Sequence, residues 1–277
     1  MKSTQGRMLL GFFLDYNKSL HMNGTEKRLI TRFRENKGGG FLAEEDPVAV
    51  EKRLRVLVNG RELFKLYCSP MMIRELVTGF IMTEGLLKGG FCTERMSIEY
   101  GDEITVDVPA DETPELGGGA TITSGCGGGI TFERYGDEAA TGFEGIRGED
   151  LKALFMKFQQ ASTLYRLTGC VHSAALSDGE HILSLAEDVG RHNAVDKIIG
   201  HAILENIRLD DKIMLSSGRL SSEIAGKCAR WKIPVLASRT APTSRAVDIA
   251  QKAGITVVGF LRGRGYNIYT HPERIFL

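Results

Sequence analysis

The stretch that decides the fold spans residues 212–261 and reads KIMLSSGRLSSEIAGKCARWKIPVLASRTAPTSRAVDIAQKAGITVVGFL. Short apolar runs alternate in it with segments whose apolar residues recur at helical spacing. The pattern predicts three strands and two helices, in the order strand 212–216, helix 221–231, strand 235–238, helix 244–253 and strand 256–261. Such alternation is typical of an α/β fold with helices on the faces of a mostly parallel sheet. Ligands of these sheets bind beyond the carboxyl ends of the strands.

The sequence on either side extends this domain to residues 150–277. Upstream of the quoted stretch we predict an amphipathic helix over 150–167, a hairpin over 171–186 and a helix over 193–205. A final strand is predicted over 266–269. The C-terminal half is therefore expected to form one α/β domain.

Three segments are predicted ahead of this domain. Residues 45–111 alternate as strands do, with a turn at Asn59-Gly60 and a helix over 71–87, which indicates a small α+β subdomain. Residues 112–149 form a glycine-rich loop without clear periodicity, and a loop of this length is usually functional. Residues 1–44 are interpreted as an appendage without a recognisable functional pattern.

Composition argues against several classes of protein. The chain has 35 Lys plus Arg and 35 Asp plus Glu, so it lacks the protein-wide basic field that binds nucleic acid. Its apolar runs are shorter than the roughly 20 residues that span a membrane, and we find no signal-peptide pattern. Its 5 cysteines are irregularly spaced, which favours a reducing compartment. We expect a cytoplasmic protein without nucleic-acid or membrane partners.

Three polar segments follow the predicted parallel strands. They span 216–223, 238–245 and 259–265 and combine glycines, hydroxyls and arginines. Helix-start amides, glycine backbones and arginine forks all suit phosphate groups, although a P-loop is excluded because Gly-Lys-Ser/Thr is missing. Each segment alone could be a solvated or capped loop, but three on one edge favour a ligand such as a nucleotide. The candidate residues are Ser217, Gly218, Arg219, Arg239, Arg262 and Arg264.

The polar segment 187–193 precedes a predicted helix. Asn193 could simply cap that helix. A cap needs only one polar side chain, so a site role is at least as well supported for Asp188, Arg191 and His192. His192 is therefore a candidate for the same ligand-binding edge.

Cys170-Val171-His172 begins a predicted strand, and residues two apart in a strand share one face, so Cys170 and His172 lie on the same face. Together they could bind metal or act as an acid/base pair, but we expect Cys170 to pack and His172 to face the site. Zinc deaminases require His-x-Glu and Pro-Cys-x-x-Cys, whereas Ser173-Ala174 follow His172 and the chain has no Cys-x-x-Cys pair. A catalytic zinc is not expected.

Cys126 is the predicted reactive residue. It lies in Thr123-Ser124-Gly125-Cys126-Gly127-Gly128-Gly129. A structural cysteine, which is the alternative, is usually buried among apolar residues, whereas one between glycines is expected to be accessible. An accessible thiol can attack, accept sulfur or oxidise. Structural roles are predicted for Cys68, Cys92 and Cys228.

Several strings in a fixed order carry a resemblance to a known family. They are Glu75-Leu76-Val77-Thr78-Gly79-Phe80, Glu84-Gly85, Thr168-Gly169-Cys170-Val171-His172, Asp188-Val189-Gly190-Arg191-His192-Asn193-Ala194-Val195-Asp196-Lys197, Ser216-Ser217-Gly218-Arg219 and Gly259-Phe260-Leu261-Arg262-Gly263. In this order and spacing the chain resembles the formate dehydrogenase accessory sulfurtransferases, the FdhD family, from about Glu45 to its C-terminus.

The resemblance implies a cytidine-deaminase-like three-layer core without its zinc site, usually as a homodimer. It implies that the protein takes persulfide sulfur from a cysteine desulfurase and passes it to the molybdenum of a bis-molybdopterin guanine dinucleotide, which activates formate dehydrogenase. The persulfide cysteine would be Cys126, and His172 or His192 would assist proton transfer or cofactor binding. The cofactor-binding segment would comprise Phe260, Leu261, Arg262, Gly263, Arg264 and Gly265.

The Cys126 loop departs from the family pattern. Many members carry Cys-x-x-Cys there, whereas this chain has Cys126-Gly127-Gly128-Gly129. A mechanism that relays sulfur through a second loop cysteine is therefore in question, although a single-cysteine persulfide stays possible. The alternative is a non-catalytic chaperone that binds the molybdenum cofactor without moving sulfur.

Overall fold

Two main sheets organise the protein in the computed structural model, which describes residues 24–35, 39–87, 89–112, 120–121, 142–263 and 265–277. The strands are β1 (Thr25–Arg34), β2 (Gly40–Ala49), β3 (Lys52–Val58), β4 (Arg61–Cys68), β5 (Ser97–Glu99), β6 (Glu103–Val108), β7 (Ala120–Thr121), β8 (Ile146–Arg147), β9 (His172–Ser177), β10 (Ile182–Asp188), β11 (Ile213–Ser216), β12 (Val235–Ser238), β13 (Thr256–Arg262), β14 (Gly265–Thr270) and β15 (Ile275–Phe276). The helices are α1 (Ile73–Glu84), α2 (Gly148–Ala161), α3 (Thr163–Thr168), α4 (Arg191–Leu204), α5 (Ser222–Arg230) and α6 (Ser244–Lys252). Among the described residues, every helix is too short or too polar to cross a membrane.

The C-terminal sheet has the strand order β10-β9-β11-β12-β13-β14. As the stretch 212–261 predicts, β11 pairs with β12 and β12 with β13 in parallel. The three remaining pairings are antiparallel, because the β9–β10 and β13–β14 hairpins reverse the chain. β10, β11, β12 and β13 thus run in one direction, which fits a mostly parallel sheet, but the pairing is mixed and the prediction needs that correction.

Helices cover both faces of this sheet. Met214 on β11 points into a core shared with α4, α5 and α6, whereas its neighbours Ile213 and Leu215 point into a core shared with α2 and α3. Successive side chains of a strand face opposite sides, so an unbroken apolar run such as 213–215 fits a strand buried on both faces. The α/β class and three-layer arrangement are confirmed, whereas the likeness to cytidine deaminases stays a prediction.

The smaller sheet has the order β5-β6-β3-β4-β7. Asn59 and Gly60 adopt φ angles of 51° and 76°, which the turn of the β3–β4 hairpin requires, as their sequence predicts. Alternate residues Leu54, Val56 and Val58 of β3 are buried beneath α1. This sheet and α1 form one α+β unit, whose last strand, β7, lies in the segment 112–149 that we predicted as a loop.

Helix α1 joins that unit to the C-terminal domain by crossing α4 at two glycines. A Cβ atom on Gly79 would lie 1.9 Å from the carbonyl oxygen of Asp196, and one on Gly200 would lie 1.9 Å from that of Glu75. The backbones of the two helices therefore touch, which only glycine permits. The crossing holds α4 against α1, and the first residue of α4, Arg191, lies at the candidate site.

The single helix predicted over 150–167 is wrong, because the structure has two helices, α2 and α3, separated at Ser162. The buried carboxylate of Glu187 accepts hydrogen bonds from the backbone N–H groups of Leu164 and Tyr165, at 2.8 Å each. These amides belong to the first turn of a helix and need an external acceptor. A distant side chain therefore starts the second helix.

The predicted boundary at residues 44 and 45 falls inside β2. Strands β1 and β2 form a hairpin in which Arg34 pairs with Gly40 at one end and Thr25 with Ala49 at the other. The described part of the appendage is therefore regular structure, because Gly39 adopts a φ of 52° and lets the chain reverse.

Candidate functional site

The three polar segments meet at one edge of the C-terminal sheet, as the parallel strands predict. The hydroxyl of Ser238 donates to the carbonyl of Gly218 at 2.6 Å, which ties the first segment to the second. The N–H of Phe260 donates to the carbonyl of Thr240 at 3.0 Å, which ties the second to the third. The three segments therefore lie side by side at this edge.

Ser217 fixes this edge to β9. Its N–H donates to the carbonyl of Ser173, and its hydroxyl oxygen accepts from the N–H of Ser173, both at 2.9 Å. The hydroxyl proton of Ser217 is still able to donate to a ligand. Ser217 is thus first a structural residue of the site.

Gly218 brings two cationic or titratable side chains together. A Cβ atom there would lie 3.1 Å from Cβ of Arg191 and 3.3 Å from Nδ1 of His172. A larger residue would crowd both side chains. The role of Gly218 is therefore one of packing, since a residue without a side chain lets Arg191 and His172 lie this close to the backbone at position 218.

His172 is half-buried and sits in a positive field. Burial lowers the pKa of its imidazole, and the charges of Arg191, His192 and Arg219 lower it further, while Asp188 opposes them. The ring is therefore neutral at pH 7, and it can both accept and donate a hydrogen bond. This fits the site-facing role predicted for His172.

Arg191 is the first residue of α4 and is half-buried. Its Nε atom is buried and has no hydrogen-bond partner among the described residues. A buried guanidinium donor without an acceptor is costly, so such a group indicates a place where an acceptor binds. The sequence left a structural role and a site role open for Arg191, and the unpartnered Nε supports the site role.

His192 takes part in a polar triad. Its Nε2 lies 3.0 Å from the hydroxyl oxygen of Ser221 and 3.3 Å from Oε2 of Glu223, and the Ser221 hydroxyl donates to Glu223 at 2.7 Å. The hydrogen bond from His192 is the main reason why the pKa of Glu223 falls to about 2. Glu223 is thus ionised and orients the imidazole. The sequence alone did not lead us to assign a role to Glu223. An acidic residue in the first turn of a helix that follows a glycine loop could have indicated one.

Asp188 and Asn193 belong to the scaffold, which corrects the site role suggested for Asp188. One oxygen of Asp188 accepts from Gly190 N–H and the Asn193 amide at 2.8 Å each, and the other binds Nζ of Lys197 at 2.6 Å and Ser69 N–H at 3.0 Å. All four partners of Asp188 are therefore protein groups. Asn193 does not cap α4 either, since its amide holds Asp188.

The last segment contains a strained residue. Phe260 adopts a φ of 53°, a left-handed conformation that is uncommon outside glycine and that often marks functional sites. Cζ of Arg262 lies 5.4 Å from the centre of the Phe260 ring. The other predicted cofactor-binding residues of this segment differ in exposure. Leu261 is buried in the core under α2, so its side chain cannot bind a ligand and only its backbone could.

Gly263 has a φ of 61° and Gly265 is exposed, whereas Arg264 lies outside the described residues.

Arg219, Arg239 and Arg262 are exposed on the same edge. Arg239 follows Ser238 directly, and its N–H donates to the carbonyl of Ser216 at 3.4 Å. Within the described parts of the chain, none of these three arginines forms an ion pair with a carboxylate. With Arg191 they make an edge whose positive charge is left for a ligand to neutralise.

The cysteines divide by environment. Cys126, the predicted reactive residue, lies outside the described residues. Cys68 and Cys228 are buried, as predicted, and burial raises the pKa of both thiols, that of Cys228 to about 12.

The two remaining described cysteines are more accessible. Cys170 is exposed, so the prediction that it packs in the core is wrong. It follows Gly169, which ends α3 in a left-handed conformation before β9 enters the core. Cys92 is only partly buried, and a hydrogen bond with Arg95 lowers the pKa of its thiol.

Comparison with known proteins gives consistent matches over most of the chain. The FdhD/NarQ family model matches residues 49–276. The sulfur carrier protein FdhD of Geobacillus kaustophilus is 35% identical over 259 residues, which cover 91% of this chain and 97% of that protein. The sulfur carrier protein FdhD of Bacillus subtilis is 38% identical over 258 residues, with 91% and 97% covered.

A solved structure has the same fold. The crystal structure of a Desulfotalea psychrophila protein, described as a formate dehydrogenase accessory protein, superposes with a TM-score of 0.72 at 26% identity and covers 91% of this chain and 100% of that one. The match therefore extends over both sheets, which lie within the same range of residues. On its sequence and its fold, this chain belongs to the FdhD/NarQ family.

Proposed function

We propose that this protein is a sulfur carrier of formate dehydrogenase maturation. In this proposal Cys126 receives persulfide sulfur from a cysteine desulfurase and passes it to bis-molybdopterin guanine dinucleotide, the substrate cofactor, in the cytoplasm. The protein acts as a homodimer and meets formate dehydrogenase afterwards. Relatives at 35–38% identity bear the name sulfur carrier protein FdhD, which supports the sulfur-carrying part.

The observation that carries the proposal is the unpaired positive edge of the C-terminal sheet. Arg191, Arg219, Arg239 and Arg262 have no carboxylate partner within the described residues, and they lie at the start of α4 and in the loops and strand end at one edge of the sheet. Guanine dinucleotides carry a diphosphate that arginine forks and exposed amides recognise. The same positive field favours a thiolate over a thiol for any cysteine that approaches it.

The first chemical step is thiol–persulfide exchange. The Cys126 thiolate attacks the terminal sulfur of the donor persulfide, a Cys126 persulfide forms, and the donor cysteine leaves as thiolate. The terminal sulfur is at the oxidation level of elemental sulfur, so its delivery to the metal as sulfide consumes two electrons, which a thiol reductant supplies. His172, neutral because its pKa is lowered, is suited to exchange the proton that the persulfide gains and loses.

The deciding experiment is mass spectrometry of the protein after incubation with a cysteine desulfurase and cysteine. We expect one added sulfur, about 32 Da, on the Cys126 peptide, reversed by a thiol reductant. Cys126→Ser is expected to lose the adduct, and Cys170→Ser, which removes another exposed thiol, is expected to keep it. An adduct that persists in Cys126→Ser would contradict the proposal.

One observation favours a second candidate, the non-catalytic cofactor chaperone. Gly129 stands where many relatives of this type carry a second cysteine, so a relay between two loop thiols is missing. A chaperone binds the guanine dinucleotide as well, and binding cannot separate the two functions. Full activation of formate dehydrogenase by Cys126→Ser, with no sulfur adduct on the wild type, would establish the chaperone instead.

A further inference from the structure

We propose that the hairpin formed by β1 and β2, here called the N-terminal hairpin, is the surface through which two copies of this chain associate. In this contact the apolar faces of the two hairpins pack against each other about a two-fold axis. The inference rests on the proposed function for the homodimer and adds the place where the two copies meet. It assigns Leu29, Phe33 and Phe41 to the centre of that contact.

The cross-strand register divides the N-terminal hairpin into two unlike faces, because directly opposed residues of an antiparallel pair share a face. The first face is rich in charge: it consists of Glu26, Arg28, Ile30, Arg32 and Arg34 of β1 and Gly40, Leu42, Glu44, Asp46 and Val48 of β2. The second face is mainly apolar: it consists of Thr25, Lys27, Leu29, Thr31 and Phe33 of β1 and Phe41, Ala43, Glu45, Pro47 and Ala49 of β2. The hairpin is therefore amphipathic.

The charged face finds its partners within the hairpin. Arg32 forms ion pairs with Glu44 at 2.7 Å and with Asp46 at 2.8 Å, and Arg34 forms one with Glu44 at 3.1 Å. The central residues of this face, including Ile30, are half-buried. These charges are thus already neutralised without a second molecule.

The apolar face is exposed to solvent instead. Leu29 is 78% exposed, Phe33 58% and Phe41 74%. The ring centroids of Phe33 and Phe41 lie 5.4 Å apart, so the two side chains form one continuous patch. A sheet with one solvated face normally buries its apolar side and exposes its polar side. The reverse arrangement here indicates a surface that another molecule covers.

The N-terminal hairpin also lacks a third strand within the part of the chain that the structure describes. Its two strands are 10 residues long each, and its base is closed by the N–H of Val50, which donates to the carbonyl of Gly24 at 3.1 Å. A two-stranded hairpin is marginally stable in water unless more strands or a packed layer support it. The hairpin of a second copy, packed face to face, supplies such a layer.

Charge and area favour a second copy as the partner. The apolar face carries one residue of each sign, Lys27 and Glu45, which pair at 2.9 Å, so two identical faces do not repel each other. A two-fold contact requires this kind of self-complementary surface, whereas an acidic or basic partner would require a face with net charge. A buried phenylalanine removes about 150–250 Å² from water, so two phenylalanines and one leucine from each copy together bury on the order of 1,000 Å². This area reaches the lower limit of specific interfaces.

The test is sedimentation equilibrium of the full-length protein. The wild type is expected to be a dimer, and Phe41→Glu, which brings a carboxylate into both contacting faces, is expected to raise the dissociation constant at least about tenfold. The matched control is Leu42→Glu, because Leu42 is the next residue of β2, is 53% exposed and lies on the charged face. Leu42→Glu should leave the constant unchanged, and circular dichroism should show that both variants are folded. A monomeric wild type, an intact Phe41→Glu dimer, or equal loss in both variants would overturn the inference.

The occupant of the apolar face is identified by photo-crosslinking from benzoylphenylalanine at position 41, in a mixture of isotopically light and heavy full-length protein. We expect mixed-isotope crosslinks to residues 29–43 of the second copy. Links only to residues 1–23 of the same chain, or only to added cysteine desulfurase or formate dehydrogenase, would overturn the inference. The sulfur adduct on Cys126 is measured separately. A monomeric wild type that acquires the adduct would overturn the hairpin contact alone, and a dimer without the adduct would overturn sulfur transfer alone.

Discussion

Two groups of cationic residues on or beside helix α4 have opposite surroundings. Lys197 and Lys227 are buried and their ammonium groups are surrounded by acceptors: Lys197 binds Asp188, and Lys227 binds Asp196 and Glu84. Arg191, at the start of α4, has a buried Nε without an acceptor in the part of the chain that the structure describes. A buried charge that is fully paired holds the fold together, whereas one that the fold leaves unpaired is free to bind a ligand.

The difference explains why one string of sequence serves two purposes. In the string from Asp188 to Lys197, the two end residues bind Ser69 and hold the fold together. Arg191, at the start of α4, instead packs beside Gly218 at the edge of the sheet. Variants of the first kind should affect stability, and variants of the second kind should affect ligand binding.

The largest effect is expected from Lys227→Met. Nζ of Lys227 lies 2.7 and 2.8 Å from the two oxygens of Asp196 and 2.9 Å from Glu84, so its removal leaves two carboxylates buried together. We expect the free energy of unfolding to fall by about 3–5 kcal/mol, measured by urea denaturation. Lys252→Met, on the exposed end of α6, is the control, and an equal loss in both variants would contradict the assignment.

Gly79→Ala is expected to have the next largest effect. Its Cβ would lie 1.9 Å from the carbonyl oxygen of Asp196, so the two helix backbones would have to separate. We expect a loss of about 2–3 kcal/mol in the free energy of unfolding. Gly40→Ala, where a Cβ meets nothing within 4 Å, should change it by less than about 0.5 kcal/mol. A small loss in Gly79→Ala would show that the crossing can relax.

Arg239→Gln tests the other side of the comparison. Arg239 is exposed and has no ion-pair partner within the described residues, so the free energy of unfolding should stay within about 0.5 kcal/mol. The dissociation constant for diguanosine diphosphate should rise about threefold to tenfold. Arg53→Gln, which removes an arginine paired with Glu103 on the other sheet, should leave that constant unchanged. Lost stability with unchanged affinity would place Arg239 in the scaffold.

The smallest effect is expected from Glu223→Gln at acid pH. The folded-state pKa of Glu223 is about 2, below its ordinary value of 4.5, so its contribution to stability is present above pH 4.5 and is lost as pH falls towards 2. The partly exposed pair with His192 limits the change in melting temperature to at most about 4 °C. The fall in melting temperature from pH 5 to 3 should be smaller in Glu223→Gln than in the wild type. The exposed control Glu149→Gln should match the wild type, and an unchanged fall in Glu223→Gln would contradict the pairing.

Much of the fold follows from local patterns. The run 213–215 is apolar on both faces, as a strand buried on both sides is, and Asn59-Gly60 favours a hairpin turn, so both were predictable. The end of α2 was not, because Glu187 starts α3 from another element. The antiparallel pairing of β9 with β11 and of β14 with β13 was also missed, because local sequence does not specify which strand lies beside which.

The candidate site divides in the same way. Arginines and glycines after parallel strands indicated the edge, because the position of strand ends follows from the order of elements. The exposure of Cys170 and the burial of Leu261 depend on how the chain leaves a helix or enters a bulge, which neighbouring residues do not reveal.

The sequence alone thus determined the alternation of strands and helices, the edge on which polar loops gather, and the family to which the chain belongs. The tertiary structure decided which charges in 187–197 are paired and which are left for a ligand. The physical reason is that pairing depends on atoms brought together from different segments: Ser69 and Lys197 bind Asp188, while Arg191 packs against Gly218 and its buried Nε has no acceptor among the described residues. Whether a charged residue supports the fold or binds a ligand is therefore decided by its partners in space.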